Sequence, residues 1–268
     1  MIKMTKVRKG VFLIPNLFTT GNLFSGFYAI ISIFNAEYLM SAYAILAATI
    51  FDTLDGKAAR LANATSRFGK EYDSLADLIS FGLAPGLLIY SWALVSYNRL
   101  GWIAAFLFVV CGALRLARFN VQSAAADPRY FTGLPIPAAA STVAMMVILD
   151  NHILRLGSEV KPVLILVMTY SLAFLMVSNI KYRSFKDINF NSKRSFQYLV
   201  WAILIFGVIA LEPQIMLFSI IVLYAISGPL SRPFRALFIR ASRRKEEIDF
   251  DEEFDDLDDE EGLRHPHR

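Results

Sequence analysis

Four aspartates form two pairs at helical spacing. Asp52 and Asp55 are three residues apart, and Asp73 and Asp77 are four residues apart. On helices of about 3.6 residues per turn, the members of each pair lie on one face, and a turn at 61–70 would bring the pairs together. Carboxylates gathered at one point repel one another unless cations lie between them, and an all-oxygen set suits Mg²⁺, Mn²⁺ or Ca²⁺. The spacing therefore predicts a divalent-metal site.

The residues around these pairs leave room for a bulky anionic group. Gly56, Ala59 and Gly69 have little or no side chain, so a ligand can approach the backbone closely. Arg60 follows Gly56 by one turn, where its guanidinium could clamp phosphate oxygens. Two other interpretations are ion pairing of the aspartates with nearby basic residues and helix packing at the small residues. The combination favours a metal site for a phosphate-bearing substrate.

The chain that carries these residues is very apolar. It has 268 residues, of which 56% are hydrophobic and 19% charged, whereas soluble domains have about 45–50% apolar and about 25% charged residues. This composition predicts an all-α, polytopic membrane helix bundle of about eight transmembrane helices, because a span needs about 20 mainly apolar residues. The predicted spans are 17–35, 38–60, 72–97, 102–119, 137–154, 162–180, 197–211 and 213–231.

The distribution of lysine and arginine predicts the orientation. With the N-terminus in the cytoplasm, 24 of the 27 basic residues fall on the inner side, as expected for membrane proteins. We therefore expect a multi-pass protein of the cell (inner) membrane with both termini and the four aspartates on the cytoplasmic side. The basic start of the chain runs into a full span without a clear cleavage site, so we do not interpret it as a signal peptide.

Charge divides the chain into unequal parts. Residues 1–245 carry a net charge of +14 and residues 246–268 one of −10. The acidic end lacks long apolar stretches and is predicted to be a solvated, disordered tail. The predicted organisation is a basic amphipathic segment at 1–14, a catalytic transmembrane domain at 15–190, a further hairpin with a basic end at 191–245, and the tail. A single cysteine and three histidines exclude a disulfide scaffold and make a histidine-based metal centre very unfavourable.

The aspartate region resembles the signature of the CDP-alcohol phosphotransferases. The signature is Asp52-Thr-Leu-Asp55-Gly56-Lys-Ala-Ala59-Arg60, then eight residues, Gly69, three residues, Asp73, three residues and Asp77. All eight defining positions are present. The segment that starts at Pro15 resembles the first helix of that family. Segments 114–120, 133–137 and 178–186 resemble its phosphatidylserine synthase branch, so the resemblance extends over about 11–190.

The resemblance implies a CDP-alcohol phosphotransferase fold and a reaction. CDP-diacylglycerol and L-serine would give phosphatidylserine and CMP, with Mg²⁺ or Mn²⁺ in a two-metal site. Asp52, Asp55 and Asp73 are the implied shared ligands. Asp77 would complete the second metal position, and we also assign it as the general base. The implied CDP-diacylglycerol contacts are Gly56, Ala59, Arg60, Gly69, Asn16 and Thr19, although the last two could instead hydrogen-bond neighbouring helices.

The sequence indicates the residues that would bind the acceptor alcohol less specifically. Arg115, Arg118 and Lys186 are candidates to bind the serine carboxylate, and each could instead extend towards lipid headgroups. The same chemistry with glycerol 3-phosphate, inositol phosphate or choline is an alternative, and a divalent-cation transporter is a remote one. The other expected partners are membrane lipids and a second copy of the chain in a homodimer, the latter from the resemblance alone. No nucleic-acid partner is expected.

Overall fold

The described part of the chain is a helical bundle with a short two-stranded sheet. The computed structural model describes residues 13–61, 66–122, 130–157, 159–183, 207 and 212–230. The helices are α1 (Leu13–Phe34), α2 (Tyr38–Leu61), α3 (Arg67–Asp77), α4 (Ala84–Ile89), α5 (Asn98–Gln122), α6 (Ile136–Leu149), α7 (Val160–Val177) and α8 (Pro213–Leu230). The strands are β1 (Tyr130–Thr132) and β2 (Lys181–Arg183).

Five helical segments of the described ranges are long and apolar enough to cross a membrane. They are Pro15–Phe34, Arg67–Gln122, Ile136–Leu154, Val160–Val177 and Pro213–Leu230. The predicted all-α membrane bundle is confirmed, whereas the number of eight spans is not. The predicted span 38–60 corresponds to α2, which is less apolar than α1 because its second half carries charged residues. Apart from Gly207, the predicted span 197–211 lies outside the described residues.

The 56-residue stretch Arg67–Gln122 contains two predicted spans, 72–97 and 102–119. Two π-helical turns interrupt it, Leu78–Leu83 after α3 and Tyr90–Leu94 after α4. A 3₁₀ turn then leads to α5, where Asn98 adopts a φ of 45°. π-helical turns widen the helix locally and are frequent at functional sites. The first of the two, Leu78–Leu83, begins directly after Asp77.

The helices pack around a core of buried apolar side chains. α1 packs along α2, α2 against α6, and α5 against α7. Fully buried side chains of the core include Phe81, Leu88, Phe108 and Ile136. Several large apolar side chains on the outside of α1 are exposed instead, such as Phe24, as expected for a helix that faces lipid. This arrangement leaves the polar face of α1 to meet α2 and α3.

The small sheet connects the start of α6 with the end of α7. β1 and β2 are antiparallel, with Phe131 opposite Tyr182. Gly133 follows β1 with a φ of 79°, and a Cβ there would lie 2.2 Å from the carbonyl oxygen of Met176. Only glycine fits such a left-handed position against a neighbouring backbone. The Gly133–Pro137 segment leads from β1 into α6.

An ion pair links the residue directly after α6, Asp150, to Lys161 at the start of α7. The ammonium group of Lys161 lies 2.7 Å from a carboxylate oxygen of the buried Asp150, and it also lies 5.0 Å from the ring centroid of Trp92. The other carboxylate oxygen of Asp150 accepts a hydrogen bond from the Leu156 amide (2.7 Å). His152, in the same turn, contacts Tyr43 near the start of α2. This cluster lies near the start of α2, whereas Asp52 and Asp55 lie towards its end.

The chain divides into two compact units, residues 1–225 and residues 226–268. The first contains the helices and strands from α1 to β2 and most of α8. Of the second, the structure describes 226–230, the last turn of α8. The predicted acidic tail at 246–268 lies outside the described residues, and so does the predicted segment 1–14 except its last two residues, which begin α1. The predicted domain boundaries stay predictions.

Candidate active site

Three of the four aspartates meet between the end of α2 and the start of α3. Asp52, Asp55 and Asp73 each offer a carboxylate oxygen, and these atoms all lie within 4.8 Å of one another. Ser66 caps the start of α3, where its hydroxyl accepts a hydrogen bond from the Gly69 amide (2.9 Å). The cap fixes where α3 begins and thus places Asp73 opposite α2.

The fourth aspartate lies on the same helix as Asp73, at its end. Asp77 is buried, and its Oδ1 accepts a hydrogen bond from the side-chain amide of Asn22 (3.0 Å). Asp73 and Asp77 are one turn apart, as the spacing indicates, but Asp77 does not share the 4.8 Å grouping of the other three. It is therefore held by α1 rather than within the carboxylate cluster.

Helix α1 supplies the polar groups that hold two of these carboxylates. The Thr19 hydroxyl lies 3.1 Å from Oδ2 of Asp55 and 3.2 Å from the carbonyl oxygen of Pro15. Both Thr19 and Asn22 are buried. Asn22 was not among the site residues predicted from the sequence, although its recurrence three residues after Thr19 on a polar helix face was a usable signal. Thr19, predicted to contact the substrate, also contacts Asp55.

The close approach of α1 to the chain after α3 depends on Gly26. A Cβ at this position would lie 2.2 Å from the hydroxyl oxygen and 2.7 Å from the Cα of Ser80. The Ser80 hydroxyl in turn donates a hydrogen bond to the backbone oxygen of Asn22 (2.9 Å). Ser80 belongs to the π-helical turn that follows Asp77. This contact sets the distance from which Asn22 reaches Asp77.

The carboxylate cluster fits a hard divalent cation. Oδ1 of Asp73 is buried and has no hydrogen-bond partner among the described residues. A buried polar atom without a partner is costly, and a cation between Asp52, Asp55 and Asp73 would supply one. Carboxylate oxygens are also the ligands that Mg²⁺ and Mn²⁺ prefer. The structure thus contains a donor set suited to such an ion.

A cavity of about 430 Å³ opens beside the cluster. Its lining residues are Pro15, Asn16, Thr19, Asp55, Gly56, Ser66, Arg67, Gly69, Lys70 and Asp73. A Cβ at Gly56 would meet no atom within 4 Å, so this glycine leaves open space next to Asp55. The predicted contacts Asn16, Thr19, Gly56 and Gly69 all line the cavity. The backbone of Ala59 and Arg60 belongs to α2, but their side chains lie outside the described residues.

The basic residues on the α3 side of this cavity were not among the predicted site residues. Arg67 and Lys70 both line it. The Lys70 ammonium group also lies 3.4 Å from the backbone oxygen of Asn120, at the end of α5. Their position between the two aspartate pairs was the available signal, because an anionic ligand held by a cation also needs positive side chains nearby.

The two arginines predicted to bind serine point to different places. Arg115 is buried, its guanidinium lies 5.5 Å from the ring centroid of Phe119, and the charges of Asp77 and Asp52 act on it. Arg118 donates instead to the end of α7, to the backbone oxygens of Val177 (2.8 Å) and Ser178 (3.4 Å) and to the side chain of Asn179 (3.3 Å). Lys186, the third candidate, lies outside the described residues.

Residues 12–209 match the family model described as CDP-alcohol phosphatidyltransferase. The chain belongs to this family. The resemblance carried by the aspartate signature is therefore confirmed. Members of the family depend on divalent metals, in agreement with the donor set of Asp52, Asp55 and Asp73, and the family and the apolar helices together identify a membrane protein.

Individual relatives are similar over most of the chain. A CDP-diacylglycerol–serine O-phosphatidyltransferase of Helicobacter pylori is 43% identical over 198 residues, which cover 73% of this chain and 82% of the relative. The enzyme of the same name from Bacillus subtilis is 36% identical over 173 residues, or 65% of this chain and 91% of the relative. An archaetidylserine synthase of Methanothermobacter thermautotrophicus is 37% identical over 171 residues, which cover 63% of this chain and 69% of the relative.

Proposed function

We propose that the protein transfers the phosphatidyl group of CDP-diacylglycerol to the hydroxyl of L-serine, giving phosphatidylserine and CMP. The observation that carries this proposal is the cluster of Asp52, Asp55 and Asp73 beside an open cavity, in a chain similar to enzymes named for this reaction. The relatives named for serine also favour this acceptor over glycerol 3-phosphate, inositol phosphate or choline.

The donor side of the reaction is assigned to the cavity. Asn16, Thr19, Gly56 and Gly69 line it and are proposed to contact the cytidine diphosphate, with Arg60 and Ala59 as further contacts. Mg²⁺ or Mn²⁺ is proposed for the site, with Asp77 completing a second metal position. Divalent cations there would neutralise the charge that develops on the diphosphate as CMP leaves.

The acceptor side is assigned to Asp77 and Arg115. The serine oxygen forms a bond to the lipid-linked phosphorus, the bond from this phosphorus to the oxygen of CMP breaks, and the serine proton passes to Asp77. Oδ1 of Asp77 accepts a hydrogen bond from Asn22, and we propose that this bond orients the carboxylate for the proton transfer. We propose that Arg115 binds the serine carboxylate. Arg118 is less suited, because its guanidinium already donates to the end of α7.

The setting of the site follows from charge and lipid chemistry. A lipid with a diphosphate head presents that head near the membrane surface, and the excess of basic residues on one side supports a cytoplasmic location for it. We therefore propose a protein of the inner membrane with both termini and the active site in the cytoplasm. A homodimer is proposed on family resemblance.

Activity measurements with defined substrates test this proposal. Purified protein is incubated with CDP-diacylglycerol, Mg²⁺ or Mn²⁺, and one of serine, glycerol 3-phosphate, inositol phosphate or choline. We expect metal-dependent CMP release and phosphatidylserine with serine. Turnover with another alcohol but not with serine would overturn the acceptor assignment. Asp52→Asn should lower the rate and raise the metal concentration needed for half-maximal activity.

A further inference from the structure

Lys70 brings a positive charge to the cavity beside the carboxylate cluster. It lines this cavity together with Asp55 and Asp73, and it is exposed. Lys70 lies three residues before Asp73 on α3, and residues at this spacing are neighbours on the surface of a helix. A ligand that enters the cavity and approaches Asp73 therefore also approaches Lys70.

Hydrogen bonds with the end of α5 anchor the Lys70 side chain. Its ammonium group donates to the backbone oxygen of Asn120 (3.4 Å). The side-chain amide of Asn120 donates to the Ser74 hydroxyl (2.9 Å), which in turn donates to the backbone oxygen of Lys70 (3.1 Å). The three residues thus join α3 to α5 beside the cavity. An ammonium group has three N–H donors, so the bond to Asn120 is compatible with a further bond to an anionic oxygen.

The charges around the cavity favour a basic side chain at this position. Asp52, Asp55 and Asp73 bring three carboxylates together, and one divalent cation among them does not neutralise all three. The diphosphate of CDP-diacylglycerol would add further negative charge. Arg67 and Lys70 are the basic residues in the described lining of the cavity. Arg67 is the first residue of α3, whereas Lys70 lies nearly one turn closer to Asp73, so Lys70 is the better placed of the two to meet phosphate oxygens.

We propose that Lys70 binds a phosphate oxygen of the diphosphate of CDP-diacylglycerol. This inference rests on the proposed function for the identity of the donor lipid. A hydrogen bond between a charged donor and a charged acceptor is stronger than one between neutral groups, so this contact holds the head of the donor lipid next to the carboxylate cluster. Lys70 thus contributes to binding of the donor and not to the choice of the acceptor alcohol.

Binding and kinetics of two Lys70 variants test the proposal. Lys70→Met keeps a long unbranched side chain without the charge, whereas Lys70→Arg keeps the charge. The dissociation constant of CDP-diacylglycerol is measured in detergent micelles with Mg²⁺ and without an acceptor alcohol. We expect it to rise about tenfold in Lys70→Met, which corresponds to about 1.4 kcal/mol, and to stay within about threefold of the wild-type value in Lys70→Arg. The KM for serine should be unchanged in both variants.

The matched control is Lys57→Met. Lys57 is an exposed lysine that directly follows Gly56 on α2, and it is not among the lining residues of the cavity, so its loss should leave the dissociation constant unchanged. Equal rises in Lys57→Met and Lys70→Met would indicate a general effect of charge and overturn the inference. A wild-type dissociation constant in folded Lys70→Met, or a rise in the KM for serine alone, overturns it as well. If Lys70→Met does not fold, the same measurements on Lys70→Gln decide.

Failure of the proposed function has a different signature. A wild-type protein that binds CDP-diacylglycerol but releases no CMP with serine contradicts the proposed reaction alone, and the comparison of dissociation constants then still tests Lys70. A wild-type protein that does not bind CDP-diacylglycerol contradicts both.

Discussion

Removing the amide of Asn22 should disable the site without disturbing the fold. The side-chain amide donates to Oδ1 of Asp77 over 3.0 Å, and both residues are buried. Asn22→Ala leaves this oxygen without its partner and lets the Asp77 carboxylate rotate. The contact from Ser80 survives, because it is made to the backbone oxygen of Asn22.

The expected loss of activity follows from the negative charge of the Asp77 carboxylate, which accepts this hydrogen bond. A hydrogen bond to a charged group contributes about 1.5–3 kcal/mol, and about 1.4 kcal/mol corresponds to a factor of ten in rate. If the bond orients Asp77 for proton transfer, kcat for CMP release should fall by about 10- to 150-fold in Asn22→Ala. In Asn22→Asp, the new side chain has the same size but places a second carboxylate against Asp77. The kcat of this variant should fall further, because like charges repel.

The assay is CMP release in lipid–detergent micelles at saturating serine, CDP-diacylglycerol and metal. Ser25→Ala is the matched control on the same helix, because the Ser25 hydroxyl donates only within α1, to the backbone oxygen of Gly21 (2.9 Å). Thermal unfolding shows whether each variant is folded. A folded Asn22→Ala variant with a kcat within about twofold of wild type would refute the reasoning.

Three further changes have distinct expected outcomes. Asp77→Asn should abolish CMP release while the protein stays folded, and an active variant would contradict the assignment of the base. Gly26→Ala places a methyl group 2.2 Å from the Ser80 hydroxyl oxygen, so both thermal stability and kcat should fall; unchanged values would show that α1 need not pack so closely. Lys161→Met leaves the buried Asp150 carboxylate without its cation and should lower the unfolding free energy by about 3 kcal/mol. Its kcat should stay at the wild-type value, since the pair lies near the other end of α2, and a large loss of activity would contradict this.

Much of the candidate site could be predicted from the sequence, because its aspartates lie at short, regular spacings within single helices. The three- and four-residue spacings put Asp52 and Asp55 on one helix and Asp73 and Asp77 on the next, and helix periodicity alone decides which faces they share. The structure brings Asp52, Asp55 and Asp73 within 4.8 Å of one another. The apolar segments similarly indicated a membrane helix bundle, because the length and composition of a span are local properties.

Other features were not accessible because they depend on which helices become neighbours. Arg115 and Arg118 are three residues apart, and both were predicted as candidates to bind the serine carboxylate. The structure places the Arg115 guanidinium 5.5 Å from the ring centroid of Phe119, whereas Arg118 donates to the end of α7, since each long side chain follows the partners around it. The predicted number of eight spans is not confirmed: five candidate spans lie in the described ranges, and one of them, Arg67–Gln122, contains two of the predicted spans.

The sequence by itself determined the family, the membrane setting and the chemistry of a carboxylate donor set suited to a divalent cation, because residue type, spacing and hydropathy act within one or two helices. Only the tertiary structure decided which residues support that chemistry. Asn22 is 55 residues from Asp77 along the chain, and Thr19 is 36 residues from Asp55. Contacts over such separations arise from the packing of whole helices, and no local pattern specifies them.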